Sequence, residues 1–150
     1  MKLVRAGADD FEALAALFTA AFADYIQAMG NVAGPKDWLR AALDRGDAYW
    51  LDAPERVGAV ALDRDGSTLV LDELAIDPDH QRGGNGRAAL AAIEDHARAE
   101  GFQAIRLFTG QQFTHLVAFY SSAGFRVISI GAHPQGHDDR LRVTLVKPLR

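Results

Sequence analysis

LVLDELAIDPDHQRGGNGRAALAAIEDHARAEG, Leu69 to Gly101, is the stretch whose reading decides the fold. Leu69 to Ile76 is apolar, interrupted only by Asp72 and Glu73, and reads as a strand. Asp77-Pro78 stops it, since the residue before proline is pushed out of helical geometry. Gln81-Arg82-Gly83-Gly84-Asn85-Gly86 follows. From Arg87 the chain turns helical, with Leu90, Ile93 and Ala97 recurring at spacings of three and four. Glu94 and Arg98 stand four apart, able to pair on the solvated face, and Gly101 is placed to end the helix. The order is strand, glycine-rich loop, helix.

Such an arrangement is suited to phosphate. The first backbone N–H groups of a helix have no partner inside it, and the helix dipole favours negative charge there. Glycines allow close backbone approach to the anion, and Arg82 and Arg87 flank the loop with positive charge. A Walker A loop is excluded, because the stretch ends Gly86-Arg87-Ala88 rather than in Gly-Lys-Ser/Thr. Gly84-Asn85-Gly86-Arg87-Ala88-Ala89 fits the G-x-G-x-x-A of a dinucleotide fingerprint. That motif expects an acidic residue about 20 positions on, at the end of the next strand. The next strand, Ala104 to Thr109, ends in Thr109-Gly110-Gln111 without a carboxylate. The remaining pattern is Q/R-x-x-G-x-G/A, met by Gln81, Gly84 and Gly86.

On these residues the chain resembles the coenzyme A loop of the GCN5-related N-acetyltransferases. Phe119-Tyr120-Ser121-Ser122-Ala123-Gly124-Phe125 resembles the same family's Tyr-x-x-x-Gly-Phe, and the two motifs together span the C-terminal half. The resemblance implies an α/β (α+β) fold of the acyl-CoA N-acyltransferase type: a mixed, mostly antiparallel sheet with helices on both faces. It implies acetyl-CoA as co-substrate and direct transfer to an amine of a small molecule or protein.

Composition bounds the rest. A chain of 150 residues with 49% hydrophobic content is expected to form a single domain, residues 1–150, with its own core. The net charge of −4 gives no general attraction to nucleic acid or anionic membrane. There is no apolar run of membrane length and no signal-peptide pattern at Met1-Lys2-Leu3, so the expected setting is cytoplasmic. Cysteine is absent, which excludes disulfides and an acetyl-cysteine intermediate. A homodimer is compatible with all of this.

Elsewhere, Lys2 to Ala6 reads as a strand. Asp9 or Asp10 is placed to cap a helix from Phe11 to about Ala23, with Leu14, Leu17, Phe18 and Phe22 inward. Tyr25 to Gly30 continues or breaks that helix, and Gly30 to Pro35 reads as a loop. A second helix is expected from Pro35 to about Arg45, with Trp38, Leu39 and Leu43 apolar. Ala48–Leu51 and Val57–Leu62 read as antiparallel strands, and Asp63-Arg64-Asp65-Gly66 as a hairpin turn. Phe113 to Ser122 reads as a helix closed by Gly124, and Arg126–Ile130 and Leu141–Val146 as the last strands. The polar loop between those strands holds His133, His137, Asp138 and Asp139. Their spacing fits no standard zinc pattern, so no metal is expected.

The resemblance also assigns roles. The strand before the loop should part from its neighbour and present the backbone of Leu74, Ala75 and Ile76 to the pantetheine arm. Gln81, Arg82, Gly83, Gly84, Asn85, Gly86 and Arg87 should hold the pyrophosphate. Glu73, a carboxylate in an apolar strand, is the candidate base, and Asp72, on the opposite strand face, the lesser one. Tyr120 is the candidate acid for the departing thiolate. The family often carries an asparagine a turn earlier, where this chain has Phe113, Thr114, His115 and Leu116. Tyr25 and Met29 are expected to wall the acceptor site. A non-catalytic acyl-CoA-binding module is the alternative.

Overall fold

The computed structural model describes residues 1–29, 37–132 and 140–149. The stretches 30–36 and 133–139 are outside it. With them go the expected Gly30–Pro35 loop, Pro35 as a helix-starting residue, and the loop bearing His133, His137, Asp138 and Asp139.

Short, largely apolar runs form the strands β1 (Lys2–Arg5), β2 (Ala48–Asp52), β3 (Arg56–Asp65), β4 (Thr68–Ile76), β5 (Ala104–Gly110), β6 (Arg126–Gly131) and β7 (Arg142–Pro148). The helices are α1 (Phe11–Ala21), α2 (Ala23–Met29), α3 (Asp37–Arg45), α4 (Asn85–Ala99) and α5 (Thr114–Ser122). The strands make one seven-stranded sheet, ordered β1-β2-β3-β4-β5-β7-β6 and flanked by the helices. β1–β2, β2–β3, β5–β7 and β6–β7 pair antiparallel, and β4–β5 parallel. The mixed, mostly antiparallel sheet matches the expected fold class.

The chain separates into two compact units. The first comprises Met1–Asp63 and Glu73–Ile93, the second Arg64–Asp72 and Glu94–Arg150. In the first, Leu14 and Phe18 of α1 and Leu39 and Ala42 of α3 pack with Ala48, Trp50, Ala59, Ala61 and Ala75. Small residues on the strands let the helices approach closely, and full burial of a Leu or Phe side chain contributes about 1.5–3 kcal/mol. Phe18 meets Trp38 edge to face, with centroids 5.2 Å apart. In the second, Ile105, Leu107, Val143 and Leu145 form the buried centre of the β5–β7 pairing.

Three boundaries differ from expectation. Helix one ends at Ala21, and α2 is a separate helix; Phe22 (φ −104°, ψ 15°) leaves helical geometry while its N–H still reaches the Phe18 carbonyl at 3.0 Å. Asp10 does not cap α1 through its side chain. A 3-10 turn over Ala8–Asp10 precedes that helix, and the Asp10 carboxylate accepts from the Gly7 N–H at 2.8 Å. The turn after β3 is not Asp63–Gly66, because the strand runs on to Asp65 and the chain reverses at Gly66-Ser67, with Gly66 at φ +60°. Asp65 is held in the sheet by Arg106 at 2.8 Å, and the Arg64 guanidinium lies 5.5 Å from the Phe102 ring centroid.

Candidate active site

In the first unit, the end of β4 and the loop after it are tied together by local side-chain bonds. The Asp77 carboxylate accepts from the Asp79 N–H at 2.9 Å, stabilising the 3-10 turn Pro78–His80. Gln81 Nε2 donates back to the Ile76 carbonyl at 3.0 Å, and Asn85 Nδ2 to the His80 carbonyl at 2.9 Å. Two loop residues adopt left-handed backbone, Gly84 at φ +80° and Arg82 at φ +67°. For glycine this conformation costs little; for arginine it costs about 1–2 kcal/mol.

Helix α4 starts two residues earlier than Arg87, at Asn85, and its first intrahelical bond runs from the Ala88 N–H to the Gly84 carbonyl at 3.0 Å. The amides of Asn85, Gly86 and Arg87 therefore lie ahead of the ladder, where a helix offers N–H groups to an anion. Gln81, Arg82, Gly83, Gly84 and Arg87 are exposed, and Asn85 and Gly86 half-buried. The loop is open to a ligand along its length.

β4 is unusual on both edges. Its ladder with β5 pairs Thr68–Leu71 with Ala104–Leu107 and stops there, although β4 continues to Ile76. Asp72 to Ile76 thus extend beyond that ladder. On the β3 side, the Ala75 carbonyl turns toward Gly58 so closely that a Cβ on residue 58 would lie 2.2 Å from its oxygen. Only glycine tolerates this approach, a requirement that a lone Gly58 in an apolar run does not announce. Glu73 and Ala75 share one strand face and Asp72 the other; Glu73 is half-buried and Asp72 exposed. Tyr25, on α2, is half-buried, its ring 6.3 Å from Phe22, and Met29 is the last residue of α2.

In the second unit, the Tyr-x-x-x-Gly-Phe pattern resolves into a helix C-terminus. The Phe125 N–H donates to the Tyr120 carbonyl at 3.0 Å and the Gly124 N–H to the Ser121 carbonyl at 3.1 Å, with Gly124 at φ +97°. This is a Schellman turn, in which the residue after the glycine packs on the one that starts the motif. The Tyr120 and Phe125 rings meet edge to face at 5.7 Å, and Phe119 lies 5.2 Å from Tyr120. Tyr120 is half-buried, with backbone and ring both fixed. Thr114 and His115 are exposed on the first turn of α5.

Glu73, Leu74–Ile76 and Gln81–Arg87 thus belong to the first unit and Tyr120 to the second. Among the described residues no group of three or more His, Asp or Glu is arranged to hold a metal, and no helix is long and apolar enough to cross a membrane.

The model of the Acetyltransferase (GNAT) family matches residues 11–125, and the chain belongs to that family. It is 32% identical over 104 residues to a [ribosomal protein bS18]-alanine N-acetyltransferase of Salmonella typhimurium, a match covering 63% of this chain and 68% of that one. It is 37% identical over 68 residues to an IAA acetyltransferase of Azospirillum brasilense, covering 45% of this chain and 44%, less than half, of that relative. Its fold is that of a Bacillus subtilis acetyltransferase solved in complex with CoA. The TM-score is 0.72 at 23% identity, over 99% of this chain and 97% of that one. The chain is an acetyltransferase of the GNAT family.

Proposed function

We propose that the protein transfers the acetyl group of acetyl-CoA directly to an amine of a small molecule or protein, in the cytoplasm, with no metal. The observation that carries this reading is the unit made by β4, its loop and α4. A strand outruns its parallel ladder and leads into an open glycine loop, which ends at a helix start with three amides ahead of the ladder. The amides of Asn85, Gly86 and Arg87 take the pyrophosphate, helped by the dipole of α4 and the charges of Arg82 and Arg87. The backbone of Leu74, Ala75 and Ile76 takes the pantetheine arm. The CoA-bound B. subtilis protein of the same fold supports the ligand.

In the reaction the amine nitrogen attacks the thioester carbonyl carbon, a C–N bond forms and the C–S bond breaks. The nitrogen loses its proton toward Glu73, and Tyr120 protonates the departing thiolate. A fixed phenol gives most when its position is held before the reaction, as the turn at Gly124 holds it.

Free-thiol release over a panel of amines, including a peptide with an N-terminal alanine, tests the activity. Tyr120→Phe is expected to lower kcat about 10²-fold, the low end for general acid catalysis, and to leave acetyl-CoA affinity unchanged. Glu73→Gln is expected to lower kcat/KM at neutral pH, with recovery as pH rises toward the amine's own pKa. Tight acetyl-CoA binding without thiol release on any acceptor would establish the non-catalytic module instead.

A further inference from the structure

The C-terminal turn of α5 has one more partner. Past the Schellman bonds, the Ala123 carbonyl accepts from Lys147 Nζ at 2.9 Å. Lys147 lies on β7, 24 residues away in sequence. The same ammonium donates to Glu94 Oε2 on α4 at 2.7 Å, and Glu94 Oε1 takes Arg98 at 2.7 Å. The Lys147 and Glu94 side chains are only 23% and 17% exposed, so this is not a loose surface pair. A cation at a helix C-terminus is favoured by the dipole, and here it also satisfies a carbonyl that the helix leaves over.

Gly124 leaves room for the lysine to pass without displacement. A Cβ on residue 124 would lie 3.1 Å from Lys147 Cε and 3.2 Å from Nζ. The glycine thus meets two demands, the positive φ of the turn and the passage of the lysine stem. The Tyr120 carbonyl is bonded within this turn, two covalent steps from the phenol-bearing side chain's own Cα.

We propose that Lys147, held by Glu94, is a positioning residue for Tyr120: the pair clamps the end of α5 and so fixes the phenol for proton delivery to the thiolate. The proposal rests on the reading of Tyr120 as the acid. Burial pushes the Glu94 carboxyl up, but the bonds and charges of Lys147 and Arg98 outweigh it and hold its pKa below the ordinary value, so Glu94 stays ionised at neutral pH.

The test is a double-mutant cycle. Lys147→Met keeps the stem and removes the charge; it is made in the wild type and in Tyr120→Phe, and kcat and the KM for acetyl-CoA are measured under conditions where chemistry limits the rate. A small displacement of a reacting group costs up to about 10²-fold. Lys147→Met is expected to lower kcat about tenfold, to change KM less than about twofold, and to have almost no further effect on kcat in the Tyr120→Phe background. Glu94→Gln, which keeps shape and can still accept a bond, is run through the same cycle and decides the matter if Lys147→Met does not fold. Equal loss of kcat in both backgrounds, or a change in KM alone, overturns the clamp while the acid role of Tyr120 stands. An unchanged kcat in Tyr120→Phe itself overturns both.

Discussion

Gly58→Ala adds one methyl group to β3 and is expected to displace the part of β4 that the proposed function assigns to the pantetheine. The new Cβ would fall 2.2 Å from the Ala75 oxygen and 3.2 Å from both Ala75 C and Ile76 Cα. Real Cβ contacts do not go below 3.0 Å, so one of the two strands must yield by at least about 0.8 Å. All three obstacles are backbone atoms, and no change of rotamer opens the space. Overpacking of this kind costs about 1–3 kcal/mol. The loss of unfolded-chain freedom on replacing glycine returns about 0.4–1 kcal/mol. The net destabilisation is about 1–2 kcal/mol, a fall in Tm of about 2–8 °C for a domain of this size.

A shift of that size in the Ala75 carbonyl also spoils its neighbours Leu74 and Ile76 as a ligand edge, and acetyl-CoA binding should weaken about tenfold, which is ~1.4 kcal/mol. Thermal melting and calorimetric titration with acetyl-CoA measure the two effects separately. Gly7→Ala is the control: residue 7 has φ −107° and nothing beyond its chain neighbours within 4 Å of an added Cβ, so affinity should stay as in the wild type and Tm should rise by about 1–4 °C, the unfolded-chain gain alone. A Gly58→Ala protein with unchanged Tm and affinity would refute the argument from the Ala75 carbonyl. A lower Tm with full affinity would keep the steric argument and detach this edge from the coenzyme.

Gly84→Val is expected to weaken acetyl-CoA binding about tenfold or more in a folded protein. Beyond its own chain neighbours, nothing lies within 4 Å of an added Cβ at Gly84, so the penalty comes from the φ of +80° and from crowding of the ligand; equal binding would count against the loop as the pyrophosphate site. Glu94 has a depressed carboxyl pKa in the fold, so its contribution to stability is present above the unfolded-state value and lost as pH falls through the folded one. Urea melts should show Glu94→Gln less stable than the wild type at neutral pH and closing the gap on acidification through and below the ordinary carboxylate range. Parallel stability–pH curves would show that the pairing carries no proton linkage.

What the sequence discloses depends on whether an interaction leaves a periodic or local trace. Gly101 was legible because a glycine just past an apolar helix face has few other uses; it sits at φ +84°, with its N–H on the Arg98 carbonyl. The pair Glu94–Arg98 was legible from its spacing of four. The partner that turns Glu94 from a surface acid into half of a clamp is 53 residues away, and no window of the sequence connects it to Lys147. Asp63–Gly66 has turn composition, yet Asp65 and Arg64 stay in or beside β3, held by Arg106 and Phe102, whose nearness in space is set by the parallel pairing of β4 with β5. Gly58 belongs to the same class: its necessity comes from a carbonyl on another strand. The proposed site is legible to the extent that it is local. The loop from Gln81 to Arg87 and the turn from Tyr120 to Phe125 are each fixed by bonds among near neighbours, and each appears in the sequence as a motif. The supports at Gly58 and Lys147 act through space and appear as a glycine in a strand and a lysine near the end of the chain. Motif residues can therefore be carried over from a family with their local geometry, whereas the residues that hold them in place have to be found in each fold separately.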